Sequence, residues 1–240
     1  MSDEEQHQLL EGGLCFYGAI TASITHEFAN VLATIGELTG LLDDFLMAAE
    51  HGRPLDPARL RSTTARIARQ VGRGTDHVKQ LNHFAHAVDS FQGALDLGEV
   101  VGALVGLCDR FARLRKVRLD YRAPASAVPL DGSAFQVQHL VYRCLVIALE
   151  NSRQGDVITV AVEPSAGGGR VSVTTDAPVR SGAPLSGLVP FLEVLVEHLG
   201  ARLESAVEVD HPLALHLELP PHMGGPDCHE DWPPAELPMF

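Results

Sequence analysis

From residue 4 to about residue 50 the chain has no proline, and apolar side chains recur there at Ile24, Phe28, Val31, Ile35, Leu38, Leu42 and Phe45, at alternating spacings of four and three. An α-helix closes a turn every 3.6 residues, so these positions draw one seam down a helix, extended upstream by Leu10, Leu14 and Tyr17. A seam this regular has to be covered by other helices, which points to an antiparallel hairpin or bundle instead of a lone surface helix. His51-Gly52-Arg53-Pro54 breaks the helix, and Asp56-Pro57 offers an N-cap with proline at the first helical position. The spacing then predicts a second helix over about 57–88, with Leu60, Ile67, Val71, Val78, Leu81, Ala85 and Val88 on one face and arginines on the other. Gly72 and Gly74 weaken its middle by about 1 kcal/mol each relative to alanine. One hairpin cannot enclose its own stripes, so two copies forming a four-helix bundle, a homodimer, is the expected completion.

After Phe91-Gln92-Gly93 the pattern changes. Helices are expected near 97–115, 133–152 and 187–199, and strands near 117–121, 157–162, 170–175, 201–208 and 213–219. Ser165-Ala-Gly-Gly-Gly169 separates two β-branched runs and reads as a hairpin turn; it opens no helix, so it is not a phosphate loop. The class is α+β: a helical hairpin over 1–92, then an α/β sandwich over 93–220 with helices on one face of a mixed sheet. Residues 221–240 are rich in proline and glycine and are expected to be a flexible tail.

Composition narrows the function. At 45% hydrophobic and 20% charged, 240 residues are enough for one or two real cores. A net charge of −13 argues against nucleic acid as a partner, because such binding depends on basic neutralisation of phosphates. No run approaches the roughly 18 apolar residues of a membrane span, and the start, Met-Ser-Asp-Glu-Glu, lacks a positive leader, so a cytoplasmic protein without a membrane partner is expected. Cys15, Cys108, Cys144 and Cys228 form no CxxC pair and are expected to be buried thiols.

The candidate chemistry lies in Ile24-Thr-His-Glu-Phe-Ala-Asn-Val-Leu32. With Ile24 and Phe28 in the seam, His26 takes the heptad position furthest from the core and is solvated. Its neighbours one or two turns away, Ala22, Ser23, Ala29 and Ala33, are small and leave room for another protein surface. Glu27 can accept a hydrogen bond from Nδ1, leaving Nε2 unprotonated as a nucleophile. Asn30, four residues on, can orient a water or a phosphoryl oxygen.

The stretch ITHEFANVLATIGELTGLL resembles the phosphoacceptor box of two-component sensor histidine kinases, and the order of parts over about residues 8–220 is similar to theirs. The resemblance implies that His26 is the phosphorylated residue, Glu27 its acid/base partner and Asn30 the polar group assisting transfer or hydrolysis. It also implies a histidine-kinase-type ATPase domain in the second half, but a degenerate one. In Leu140-Val-Tyr-Arg-Cys-Leu-Val-Ile-Ala-Leu-Glu-Asn-Ser152 the two asparagine positions of the N-box fall on Arg143 and Ile147, and an aliphatic side chain cannot ligate magnesium. The adenine-reading Asp-x-Gly-x-Gly box corresponds to Thr175-Asp-Ala-Pro-Val179, without its glycines; a shift of one residue makes Asp176 the reader, but Ala177, Pro178 and Val179 still stiffen the loop. The lid survives only as Ser186-Gly-Leu-Val-Pro190. His139, Tyr142 and Arg143 are expected to fill the abandoned pocket.

A phosphoacceptor hairpin joined to such a domain resembles the ChpT-type histidine phosphotransferases, dimeric relays between receiver domains. That resemblance implies no stably bound cofactor and no metal of its own, with Mg supplied by the receiver. The alternatives are a pseudo-histidine kinase that sequesters a response regulator, an aspartyl-phosphate phosphatase and a divergent sensor histidine kinase. His77, His83 and His86 lack a carboxylate at matching spacing and are read as solvated or packing residues; Asp227-Cys-His-Glu-Asp231 is assigned no role. Charge is uneven: Arg53 to Lys79 holds seven basic and two acidic side chains, and 181–240 holds ten acidic residues and only Arg202. The basic stretch is a candidate surface for steering an acidic partner towards His26.

Overall fold

A computed structural model describes residues 3–87, 93–178, 189–206 and 211–223. The chain divides into two compact units, Ile20–His83 on one hand and Met1–Ala19 with Phe84–Phe240 on the other.

Helix α1 (Asp3–Glu50) and helix α2 (Pro57–His86) supply the first unit. The break falls where the sequence places it, and its hydrogen bonds explain why. Gly52 takes φ +82, its N–H donates to Ala49 O at 2.9 Å, and Arg53 N–H donates to Ala48 O at 3.0 Å, which closes the last turn of α1 as a Schellman motif. Asp56 Oδ1 then accepts from Ala58 N at 2.9 Å, and Pro57 opens α2 where no N–H is needed. Along α1, Ile24, Val31 and Leu38 are buried and Phe28, Ile35, Leu42 and Phe45 half-buried, as the seam requires.

The expected face of α2 needs correction. Val71 and Val78 are 53% and 42% exposed, while Thr63, Gly74 and, partly, Ile67, Gln70, His77 and Leu81 turn towards α1. Two adjacent stripes run along α2, and spacing alone does not say which one meets α1. Gly74 contributes to the choice: a Cβ there would stand 3.4 Å from Val31 Cγ1, so glycine lets the helices approach closely. Val88 lies outside the described residues.

The second unit is built on a five-stranded sheet. In chain order it contains β1 (Ala94–Asp96), α3 (Leu97–Leu114), β2 (Arg118–Arg122), β3 (Pro129–Asp131), α4 (Ala134–Asn151), β4 (Val157–Ser165), β5 (Gly168–Pro178), α5 (Val189–His198), β6 (Arg202–Ala206) and β7 (Pro212–Leu219). The sheet order is β2-β4-β5-β7-β6, with β2 parallel to β4 and every other pair antiparallel. Ile158, Val160, Val162, Val171, Val173, Leu213, Leu215, Leu217 and Leu219 alternate onto one buried face, against which α3 and α4 pack. The chain is therefore α+β, a helical hairpin followed by an α/β sandwich.

Asp96 caps α3 through Gly98 N at 2.8 Å, Ser133 caps α4 through Gln136 N at 3.3 Å, and Gly200, at φ +64, ends α5. At the β4–β5 turn Gly168 takes φ +136, and an added Cβ would collide with Leu219 O. One element was not foreseen: β1 and β3 form a separate two-stranded sheet of three residues each, too short to leave a periodic signal. Residues 221–223, assigned by composition to the tail, join its edge, with Met223 N–H donating to Asp131 O at 2.8 Å. Residues 224–240 lie outside the described residues. No helix among the described residues is long and apolar enough to cross a membrane.

Candidate functional site

Position along α1 decides what surrounds His26. Ile24 and Val31 commit one side of the helix to packing, so the side that carries His26 faces water together with Ala22, Ala29, Asn30 and Ala33, all exposed. The small side chains leave the imidazole standing above its neighbours. Asn30, one turn on, brings its amide to His26 Nδ1 at 3.1 Å. The atom placed there is Asn30 Nδ2, which donates to an unprotonated Nδ1; turning the amide by 180° brings Oδ1 to a protonated Nδ1 and leaves the lone pair on Nε2, the form a nucleophile needs. Asn30 thus meets the same ring nitrogen for which the sequence reading names Glu27.

Glu27 is 8% exposed and turned into the hairpin, where Arg73 Nη2 of α2 stands 3.7 Å from its Oε2. His26 and Asn30 form an exposed pair, and Glu27, next to His26, also links α1 to α2. Sequence reasoning missed Arg73. The signal exists, since Gly74 faces Val31, but it appears only once the antiparallel register of the two helices is known.

In the second unit, the residues that the sequence resemblance sets at nucleotide positions have partners of their own or lie in the core. Arg143 Nε donates to His139 Nε2 at 3.2 Å, and Nη2 donates to Gly12 O at 3.4 Å. Ile147 is 2% exposed, inside the core. Asp176 Oδ1 accepts from Val157 N at 2.8 Å and so closes the start of β4. Pro190 stands in the first turn of α5; residues 179–188, which include Ser186 to Leu188 of the stretch likened to a lid, lie outside the described residues. Ile147 offers no oxygen to a magnesium ion, and one oxygen of Asp176 is engaged by Val157 N.

His139, Tyr142 and Arg143 belong instead to an aromatic cluster centred on Phe16, which is fully buried. Its ring stacks on His139 at 5.1 Å, meets Phe84 edge-on at 5.4 Å, and contacts Phe135 at 5.3 Å and Tyr142 at 4.9 Å. Burial, with the Arg143 charge beside it, pushes His139 down to about 3, so the imidazole is neutral at physiological pH. Cys108 and Cys144 are buried, and desolvation pushes the Cys144 thiol up to about 12; Cys15, against expectation, is exposed, and Cys228 lies outside the described residues. His77 packs near the ring of Phe28 at 6.2 Å. Among the described residues no group of three His, Cys, Asp or Glu side chains is placed to hold a metal.

No family model matches the chain, and no curated protein is similar to it in sequence. Among solved structures it is similar to a histidine kinase from Burkholderia phymatum STM815, at 13% identity and a TM-score of 0.47 over 83% of this chain and 98% of that chain. It is also similar to the Acinetobacter baumannii histidine kinase AdeS, at 12% identity and a TM-score of 0.46 over 77% of this chain and 95% of that chain. A third likeness is to a bacterial phosphotransferase, at 15% identity and a TM-score of 0.44 over 85% of this chain and 96% of that chain.

Proposed function

We propose that the chain is a histidine phosphotransferase of the ChpT type, relaying a phosphoryl group between response-regulator receiver domains through His26 without using ATP. His26 Nε2 attacks the phosphorus of an aspartyl phosphate on the donor receiver. An N–P bond forms, the acyl P–O bond breaks, and the aspartate leaves as its carboxylate. The reverse step places the phosphoryl group on the acceptor's aspartate and returns the lone pair to Nε2. The receiver brings the magnesium that neutralises the phosphate. This chain's own residues orient the imidazole through Asn30 and hold the helix beneath it through the Glu27–Arg73 pair.

The observation that supports this reading most is the contrast between the exposed His26–Asn30 pair and the packed side chains at Arg143 and Ile147. Leu32, Leu46 and Met47 on α1, and Val71 and Val78 on α2, are exposed apolar groups of the hairpin, and a second copy completing a four-helix bundle is the partner that covers them. The test is direct labelling. A receiver carrying labelled aspartyl phosphate should transfer the label to His26 as an acid-labile phosphohistidine, and labelled ATP with magnesium should give none. Efficient labelling from ATP would make the chain a kinase; stable receiver binding without transfer would make it a sequestering pseudokinase.

A further inference from the structure

We infer that Arg66 and Arg69 of α2 form a charge-selective docking surface for an acidic face of the receiver domain that exchanges its phosphoryl group with His26, an inference that rests on the proposed function. The packing inside the hairpin fixes which side of α2 they occupy. Gly74 faces Val31, and its neighbour Arg73 reaches Glu27, the neighbour of His26. Arg66 precedes Arg73 by seven residues and Arg69 precedes it by four, so both share the side of α2 from which Arg73 reaches towards the phosphoacceptor.

The arginines on this side differ in what they touch. Arg59 stands 3.7 Å from Asp56, and Arg73 stands 3.7 Å from Glu27. Arg66 and Arg69 are exposed, and neither has a carboxylate partner among the described residues. They lie one helical turn apart, close enough for both positive charges to meet neighbouring carboxylates of one partner surface. Val71 and Val78, on another side of α2, are exposed and apolar and suit a copy of this chain, which leaves the arginine side for a different partner. In a chain with a net charge of −13, two cations on the side of α2 whose Arg73 pairs with Glu27 are a local reversal that selects an acidic face. Charge pairing of this kind acts mostly on association rate and partner choice, and it weakens as salt is added.

The helix supplies its own control. Arg61 and Lys79 are eighteen residues apart, five full turns, so they share one line on α2 that is rotated by roughly a third of a circle from Arg66 and Arg69. Replacing either pair by glutamate changes the net charge equally. The probe is the receiver that labels wild-type His26 fastest among purified receiver domains loaded with labelled aspartyl phosphate. At low salt, Arg66→Glu with Arg69→Glu should slow labelling at least tenfold and flatten its salt dependence. Arg61→Glu with Lys79→Glu should slow it less than twofold, and Arg66→Lys with Arg69→Lys should keep most of the rate. Equal slowing by both glutamate pairs, or no slowing by the first, overturns the docking surface while leaving the relay intact. If wild-type protein accepts phosphate from no receiver, the relay falls, and the docking surface falls with it.

Discussion

Two helices carry the residues that a phosphotransfer protein and a nucleotide-binding domain would each use, and they treat polar side chains in opposite ways. On α1, His26 and Asn30 stand in water among alanines, one turn apart, with the amide held at the imidazole. On α4, Arg143 is tied to His139 and to the backbone of Gly12, Ile147 is buried, and His139 lies flat against Phe16. A reactive group needs a solvated or partner-accessible face and a neighbour that fixes its tautomer; a packed residue needs only volume and a satisfied hydrogen bond. By that standard the exposed pair on α1 has the surroundings a reactive group needs, and α4 those of a packed core.

The largest effect that sharpens this contrast is on stability. Phe16→Ala removes the ring shared by four aromatic contacts and should cost about 4 kcal/mol in denaturant unfolding, while the folded fraction still accepts phosphate at His26. If the variant were as stable as wild type, the cluster would not hold the unit together. Acid should act at the same place. His139 stays neutral in the fold down to about pH 3, whereas in the unfolded chain it protonates near 6.5; its contribution is complete above 6.5 and is lost as pH falls towards 3. Going from pH 7 to pH 4.5 should therefore cost wild type about 3 kcal/mol more than a His139→Phe variant, measured by unfolding at both pH values.

A somewhat smaller loss tests whether α4 retains nucleotide chemistry. Ile147→Asn restores the missing ligand type but places an amide in the core, so stability should fall by about 2 to 3 kcal/mol with no gain in ATP affinity by calorimetry. Tight magnesium-dependent ATP binding by this variant would break the contrast between the two helices. The smallest effect falls on α1. Asn30→Ala should leave the melting temperature unchanged and slow phosphoryl transfer about tenfold, the equivalent of roughly 1.4 kcal/mol.

Local signals made much of this legible in the sequence. The seam from Ile24 to Phe45, the Gly52 stop, the Asp56 cap and the two β-branched runs around the Gly167 to Gly169 turn all depend on neighbours a few residues away, and the structure has them where the pattern puts them. What depends on distant partners was not legible. Val71 and Val78 belong to a stripe that the antiparallel register leaves uncovered. Phe16, one residue before the predicted seam position Tyr17, turns out to be the centre of the aromatic cluster because Phe84 and α4 meet it there. Adjacency in the sequence points from His26 to Glu27, and only the fold adds Arg73 of α2 as a partner of Glu27 and brings Asn30, a turn away, to Nδ1.

The most direct test of the central claim is a two-receiver relay followed in a single sample. A donor receiver carrying labelled aspartyl phosphate is mixed with an unlabelled acceptor receiver and a catalytic amount of this protein, with magnesium and without ATP. The label should pass through a phosphohistidine at His26 and accumulate on the acceptor, and His26→Ala should stop it. Relay by the His26→Ala protein, or release of the label as inorganic phosphate without reaching the acceptor, would contradict the account.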